Sequence, residues 1–266
     1  MSFYLSSYAR DAGYRVKSFG RVDSTNILAG TFAKEREKGQ LWIVATEQIA
    51  GRGRRGRQWI SSAGNLYTTL LLVDDFEPGK LASLGFVAGI SLIEALRCVL
   101  PQALQNVLSV TLKWPNDVLI GGDKLAGILL EMIPLKDHMN GILVGIGVNI
   151  VSSPVNCSYA TASLIEKGVN CSPEMFFEAL SYTWVDNYRL WNRGFSLEAI
   201  RNRWLSYASG LGQKISVKLH SEIISGVFET IDRKCQLILR KLNGQQVIIP
   251  AGDVYFGAVT SASFDF

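Results

Sequence analysis

The spacing of strand-like runs between Val107 and Ile150 constrains this chain more than any other feature. Val107 to Lys113 alternates, with Leu108, Val110 and Leu112 on one face and Ser109, Thr111 and Lys113 on the other. That is the period-two pattern of a half-buried strand. Val118-Leu119-Ile120 and Lys124 to Met132 flank Gly121-Gly122-Asp123 and read as strand, turn, strand. Gly141 to Ile150 is a further strand, rich in glycine. Parallel neighbours need a crossover of about a dozen residues or more, and several of these connections are shorter. The fold class is therefore α/β (α+β), with a mixed, largely antiparallel sheet. Leu41 to Thr46 and Asn65 to Val73 supply two more strands.

Helices flank this sheet. Val22-Asp23-Ser24-Thr25-Asn26 carries cap residues and precedes a helical pattern through Lys38. Pro78 to Leu100 reads as an amphipathic helix. Glu94 and Arg97 interrupt its apolar run, so it is not expected to span a membrane. Ser172-Pro173-Glu174 opens a helix that runs to about Trp191, with cap, N1 proline and first-turn acid in order. Another spans Ser196 to near Tyr207.

The composition changes after Ser209-Gly210-Leu211-Gly212. Only short strand-like runs follow: Lys214 to Leu219, Glu222 to Thr230, Gln236 to Lys241 and Gln246 to Ile249, with Asn243-Gly244 as a hairpin turn. We expect a first domain over residues 1–209 and a small C-terminal SH3-like β-barrel over 210–266.

Charge narrows the function. The chain has 27 basic and 23 acidic residues, and the excess equals the four arginines of Gly51-Arg52-Gly53-Arg54-Arg55-Gly56-Arg57. A general nucleic-acid coat protein would be basic over a wider surface. The four cysteines contain no C-x-x-C pair, and His138 and His220 are far apart, so neither a disulfide scaffold nor a zinc site is expected. Arg10, Asp11 and Arg15 arrive too early for a secretory leader. A cytoplasmic location follows as an expectation.

Three segments carry chemistry. The Arg-Gly loop can present backbone N–H groups beside guanidinium forks, which suits carboxylate or phosphate. A solvated basic loop or an RNA contact would have the same composition. Its position between a buried strand and Trp59 favours a site. Lys113-Trp114-Pro115-Asn116-Asp117 is followed by Lys124-Leu125-Ala126-Gly127 across the Gly121-Gly122 turn. Two lysines and a carboxylate suit a polyanionic substrate with a divalent metal, or are ordinary surface groups of an edge hairpin. Gly145-Ile146-Gly147-Val148-Asn149 leaves a flat strand surface, where a ring could lie or another element could pack.

Ser24-Thr25-Asn26, Gln48 with Gly51 to Gly56, Lys113 to Asp117, Lys124 to Gly127 and Gly145 to Asn149, in this order, resemble the biotin–protein ligases. The resemblance covers roughly residues 18 to 260, and the arginine-glycine and Lys-Trp-Pro-Asn-Asp motifs are specific in combination. It implies an ATP-dependent enzyme that activates biotin as biotinyl-5′-AMP and transfers it to a lysine of a biotin carboxyl carrier protein. Catalytic roles are implied for Arg52, Lys113, Asp117 and Lys124. Biotin contacts are implied for Ser24, Thr25, Asn26, Gln48, Gly51, Arg52, Gly53, Arg54, Lys113 and Gly127. Adenylate contacts are implied for Arg54, Arg55, Trp59, Asn116, Lys124 and Asn149. Mg²⁺ would arrive mainly on the ATP phosphates, with Asp117 as a weak ligand, and Trp59 and Trp114 would supply apolar walls, a plain core position being equally open for Trp114.

Some members of that family also carry an N-terminal helix-turn-helix repressor domain. Here 23 residues precede Ser24, and an independent domain needs at least about 50. Specific DNA binding is therefore not expected, and the sequence leaves a homodimer open. Two alternatives remain: a lipoate ligase or octanoyltransferase of the same fold, and an RNA- or DNA-binding module using the Arg-Gly loop.

Overall fold

The computed structural model describes residues 2–155, 157, 159–219 and 222–256. His220 and residues 257–266 of the expected C-terminal module lie outside them. After a short helix α1 (Ser7–Asp11), seven strands form one sheet: β1 (Arg15–Val22), β2 (Leu41–Gln48), β3 (Leu66–Asp74), β4 (Val110–Lys113), β5 (Asp117–Ile120), β6 (Asp123–Pro134) and β7 (Asn140–Val148). Their spatial order is β1-β2-β3-β7-β6-β5-β4. β1 and β2 are parallel, joined through α2 (Thr25–Lys34), and the remaining pairs are antiparallel. The mixed, largely antiparallel sheet read from connection lengths is the sheet observed.

Strand alternation divides the side chains between two layers. On one face, Leu41, Ile43, Leu71 and Leu143 pack with Ala29 and Ala33 of α2. On the other, Trp42, Leu70, Val144 and Ile146 meet α3 (Leu81–Val99), α5 (Pro173–Trp191) and α6 (Leu197–Ser206); a short α4 (Gln102–Gln105) follows α3. Trp42 stands edge-on to Phe177 and Trp184 at centroid distances of 5.6 and 5.9 Å, a favoured aromatic geometry. The cap of α5 forms as expected, with Ser172 Oγ accepting from the Met175 N–H at 3.2 Å.

Two helices differ from their sequence readings. α3 is buried almost all round rather than amphipathic, because it is sandwiched between the sheet and the α5–α6 layer. Gly85 and Gly89 let Leu130 and Leu112 approach to 3.3 and 3.1 Å of where a Cβ would stand. α3 with its preceding turn is long and apolar enough to cross a membrane, and 72% of its most apolar window is buried inside the fold. α2 stops at Lys34 instead of Lys38. Arg36 turns to φ +65, and Gly39 packs so closely on Val73 that a Cβ would lie 2.6 Å from its backbone nitrogen.

The C-terminal part is a five-stranded antiparallel sheet, consistent with the SH3-like barrel expected. Its strands are β8 (Lys214–Lys218), β9 (Ile223–Ile231), β10 (Leu237–Arg240), β11 (Gln246–Ile249) and β12 (Asp253–Phe256), in the order β11-β10-β9-β8-β12. The Gly244 turn has φ +83. This sheet is fastened to the β4–β5 loop and to α6 of the first part. The Trp114 indole N–H donates to the Cys235 carbonyl at 3.0 Å, and Arg201 donates to Thr230 Oγ1 at 2.9 Å. Trp114 is therefore a buried residue between the two parts, not a wall of the main cavity.

Candidate active site

The floor of the main cavity is built from glycines of β6 and β7. Gly127 pairs with Gly147, and Leu129 with Gly145, on the face that carries α2. The flat surface read from the sequence is present and is covered by the chain itself. A Cβ on Gly147 would lie 2.5 Å from Trp59 Cε2 and Nε1, one on Gly127 2.9 Å from Trp59 Cζ3, and one on Gly145 2.2 Å from Asn26 Oδ1. The Trp59 Nε1 atom is buried without a protein partner.

At the Asn26 end the cavity wall is neutral and polar. Gln48 Oε1 accepts from the Thr25 backbone N–H at 2.8 Å and from its hydroxyl at 3.1 Å. Gln48 Nε2 donates to Ser61 Oγ at 2.9 Å, and that hydroxyl donates to the Trp59 carbonyl at 2.9 Å. The Thr69 hydroxyl donates to Asn26 Oδ1 at 2.6 Å and lies 2.8 Å from Thr25 Oγ1. Asn26 Nδ2 donates to Glu131 Oε2 at 2.8 Å. Each side chain is thus held by a partner at a set angle, the preorganisation that polar recognition needs.

The Arg-Gly loop roofs the cavity as a closed hairpin. Trp59 N–H donates to the Gly51 carbonyl at 2.9 Å, Gly53 N–H to Arg57 at 2.7 Å and Arg57 N–H to Arg54 at 3.2 Å. Gly51 is needed at the stem, where a Cβ would lie 2.3 Å from the Trp59 carbonyl oxygen. Arg55 sits at φ +56, a conformation unusual for a side-chain-bearing residue. Asp253 of β12 pairs with Arg55 at 3.0 Å and also with Arg57, so the C-terminal sheet holds the loop down. Arg52 pairs with Glu131 at 2.8 Å. Arg54 donates to Asn116 Oδ1 at 2.9 Å, a neutral partner. Burial pulls the Arg54 guanidinium below its ordinary pKa, so its charge is poorly solvated and favours an anion beside it.

A second cation stands opposite. The Gly121-Gly122 turn returns Lys124 to Asp117, Nζ to Oδ1 at 2.8 Å. Lys124 Nζ also lies 5.4 and 5.0 Å from the ring centroids of Trp59 and Tyr159. Lys113 sits behind Asp117, its register partner, with Nζ 5.4 Å from the Phe256 ring centroid. Desolvation lowers the Lys113 pKa, against an opposing pull from Asp117. Among the described residues no three His, Cys, Asp or Glu side chains converge as a metal centre. Asp117 is already engaged by Lys124, so the donor set does not fit a resident Mg²⁺.

Of the residues singled out from sequence, Ser24, Thr25, Asn26, Gln48, Arg52, Gly53, Arg54, Trp59, Asn116, Asp117, Lys124 and Gly127 line this one cavity. Gly51, Arg55, Lys113 and Asn149 do not. Asn149 faces a smaller adjoining hollow on the far side of Trp59, with Lys124 and Tyr159. Sequence reasoning missed Arg57, Gln58, Tyr159 and Asp253 in the lining, and Glu131, Thr69 and Ser61 behind it.

Comparison with known proteins agrees with this geometry. The family described as Biotin/lipoate A/B protein ligase matches residues 18–149, and the Biotin protein ligase C terminal domain matches residues 210–257. The chain is 38% identical over 244 residues to the biotin–acetyl-CoA-carboxylase ligase of Paracoccus denitrificans, covering 89% of this chain and 98% of that one. It is 29% identical over 229 residues to the bifunctional ligase/repressor BirA of Escherichia coli, covering 83% of this chain and 67% of that one. The biotin protein ligase of Aquifex aeolicus in complex with biotin and ATP superposes with a TM-score of 0.74 at 26% identity, over 91% of this chain and 97% of that one. The fold, the ordered motifs around one cavity and these relatives agree: the chain belongs to the biotin protein ligase family.

Proposed function

We propose that this protein is an enzyme that activates biotin with ATP to biotinyl-5′-AMP and transfers the biotinyl group to a lysine of a biotin carboxyl carrier protein. One observation carries the reading. A single cavity joins a neutral hydrogen-bonding end at Thr25, Asn26 and Gln48 to a cationic end at Arg54 and Lys124. Biotin has the same layout, with a neutral ureido ring at one end and a carboxylate at the other.

The chemistry follows from that layout. A carboxylate must attack the α-phosphate of ATP, and fixed cations lower the repulsion between the two anions. Arg54 and Lys124 are placed for this, and Lys113 supports them from behind Asp117. Mg²⁺ enters as part of the MgATP substrate and accompanies the departing pyrophosphate. The adenosine is assigned to the hollow by Asn149, with Trp59 as the wall shared with biotin. An acceptor lysine then attacks the mixed anhydride; its ordinary pKa is about 10.4, so it must lose a proton to do so. No covalent enzyme intermediate is required.

The octanoyltransferase alternative needs a reactive thiol. Among the described residues no cysteine lines the main cavity, and Cys157 lines only the adjoining hollow. Burial pushes Cys171 up to about 11 and Cys235 up to about 12, away from the thiolate. The nucleic-acid alternative needs free arginines, whereas Arg52, Arg55 and Arg57 are paired to carboxylates of this chain. We further assign residues 1–209 to the catalytic unit, and read the protein as cytoplasmic, without specific DNA or membrane binding, and compatible with a homodimer. The test is ATP–pyrophosphate exchange with biotin and lipoate side by side. Exchange that requires biotin supports the reading, and exchange that requires lipoate overturns it.

A further inference from the structure

The four loop arginines carry the same charge and are paired differently. Asp253 engages Arg55 and Arg57, and Arg54 meets the neutral Asn116. Arg52, which lines the cavity, is matched by Glu131, 2.8 Å from Nη2 to Oε1. Strand parity puts Glu131 on the same face as Gly127 and Leu129, one step past the floor. Its other oxygen accepts from Asn26 Nδ2 at 2.8 Å. A single carboxylate therefore both orients the Asn26 amide and cancels the Arg52 charge. Without it, an unpaired guanidinium would stand near Asn26 and offer a second anchor for a carboxylate.

We propose that Glu131 is a specificity-determining positioning residue: by neutralising Arg52 beside Asn26 it keeps that end of the cavity fit for an uncharged polar head group and closed to a second anion. The inference rests on the functional reading only for naming that head group as the ureido ring. Glu131→Gln preserves an acceptor for Asn26 and removes the charge, so it separates the electrostatic role from a structural one.

The experiment is calorimetric binding of three straight-chain probes to the full-length protein: hexanoate, heptanedioate and 7-aminoheptanoate. Glu131→Gln should bind heptanedioate about tenfold more tightly than wild type, which corresponds to about 1.4 kcal/mol, with hexanoate unchanged. Adding Arg52→Ala to that variant should abolish the gain. Arg52→Ala alone leaves Glu131 unmatched and should favour 7-aminoheptanoate by a similar factor, which tests the idea even if Glu131→Gln does not fold. Parallel changes for all three probes, or none, would overturn the proposal. Failure of wild type to bind biotin in the same instrument would instead remove the functional reading and leave the probe comparison intact.

Discussion

Adding one methyl group at Gly147 tests whether the glycine floor and Trp59 together form the cavity. In Gly147→Ala the new Cβ would stand 2.5 Å from Trp59 Cε2 and Nε1 and 2.8 Å from Cζ2. Carbon atoms in contact prefer about 3.5–4.0 Å, so the indole must lift by about 1 Å. The backbone cannot follow freely, because the Trp59 backbone N–H is bound to the Gly51 carbonyl at 2.9 Å and its backbone carbonyl accepts from Ser61 at 2.9 Å, so the displacement falls on the side-chain torsions. Overpacking of this kind costs about 1–3 kcal/mol, and each kcal/mol lowers Tm by about 2–4 °C in a chain of this size. Trp59 lines the main cavity and the adjoining hollow, so biotin and ATP affinity should both fall, by about tenfold for each 1.4 kcal/mol. Thermal melting and calorimetric binding read the two effects. Gly20→Ala is the control, because nothing lies within 4 Å of its Cβ position. If Gly147→Ala melts and binds like Gly20→Ala, the account of the floor is wrong.

Arg54→Ala should release biotinyl-AMP about 10–150-fold faster, from the loss of one charge-assisted contact of about 1.5–3 kcal/mol. Its Tm should change little, because Asn116 keeps its bond to the Ile128 carbonyl; normal release with a large drop in Tm would mark a structural arginine. Asp253→Asn should raise the biotin KM severalfold and make it more sensitive to salt, since Arg55 and Arg57 lose their shared partner; an unchanged KM would remove the C-terminal sheet from loop positioning. Lys113 has a folded-state pKa below its ordinary value, so the unfolded chain holds more protons between the two values and wild-type stability rises with pH across that window. Lys113→Met should lose that rise in melting curves, and its pyrophosphate exchange should fall; a parallel pH profile would show that Lys113 is not desolvated. Anisotropy titrations with duplexes at about 150 mM salt should show only weak binding that is insensitive to sequence and lowered by biotin and ATP; sequence-dependent binding that grows with biotin would contradict the ligase-only reading.

Much of the site was legible because its motifs lie where strands end. Short connections fixed the antiparallel hairpins, and the Gly121-Gly122 turn placed Lys124 beside Asp117 as its position suggested. The misses have physical causes. β1 carries Arg15, Lys17, Ser18 and Arg21 at the sheet edge, so its hydrophobic signal is weak. β12 has four residues and follows a turn, and nothing local marks Asp253 as the partner of arginines almost 200 residues earlier. Glu131 read as one more residue of a strand; its role depends on Arg52 and Asn26 reaching it from other elements. Alternation put Lys113 on the polar face of β4 but could not tell the cavity from the space behind Asp117, where it lies. The glycines of β7 left open whether a ligand or the chain would cover them, and the structure places Trp59 and Asn26 there.

The central claim is that one cavity couples biotin to AMP and passes biotin to a carrier lysine. A double-label single-turnover measurement tests it most directly. The protein is incubated with labelled biotin, ATP carrying a second label in the adenosine, and Mg²⁺, then separated from free ligands. The account predicts that both labels travel with the protein in equal amounts. On addition of a biotin carboxyl carrier domain, the biotin label should move to one lysine of the carrier while the adenosine label leaves as AMP. Retention of biotin without the adenosine label, or transfer in the absence of ATP, would contradict it.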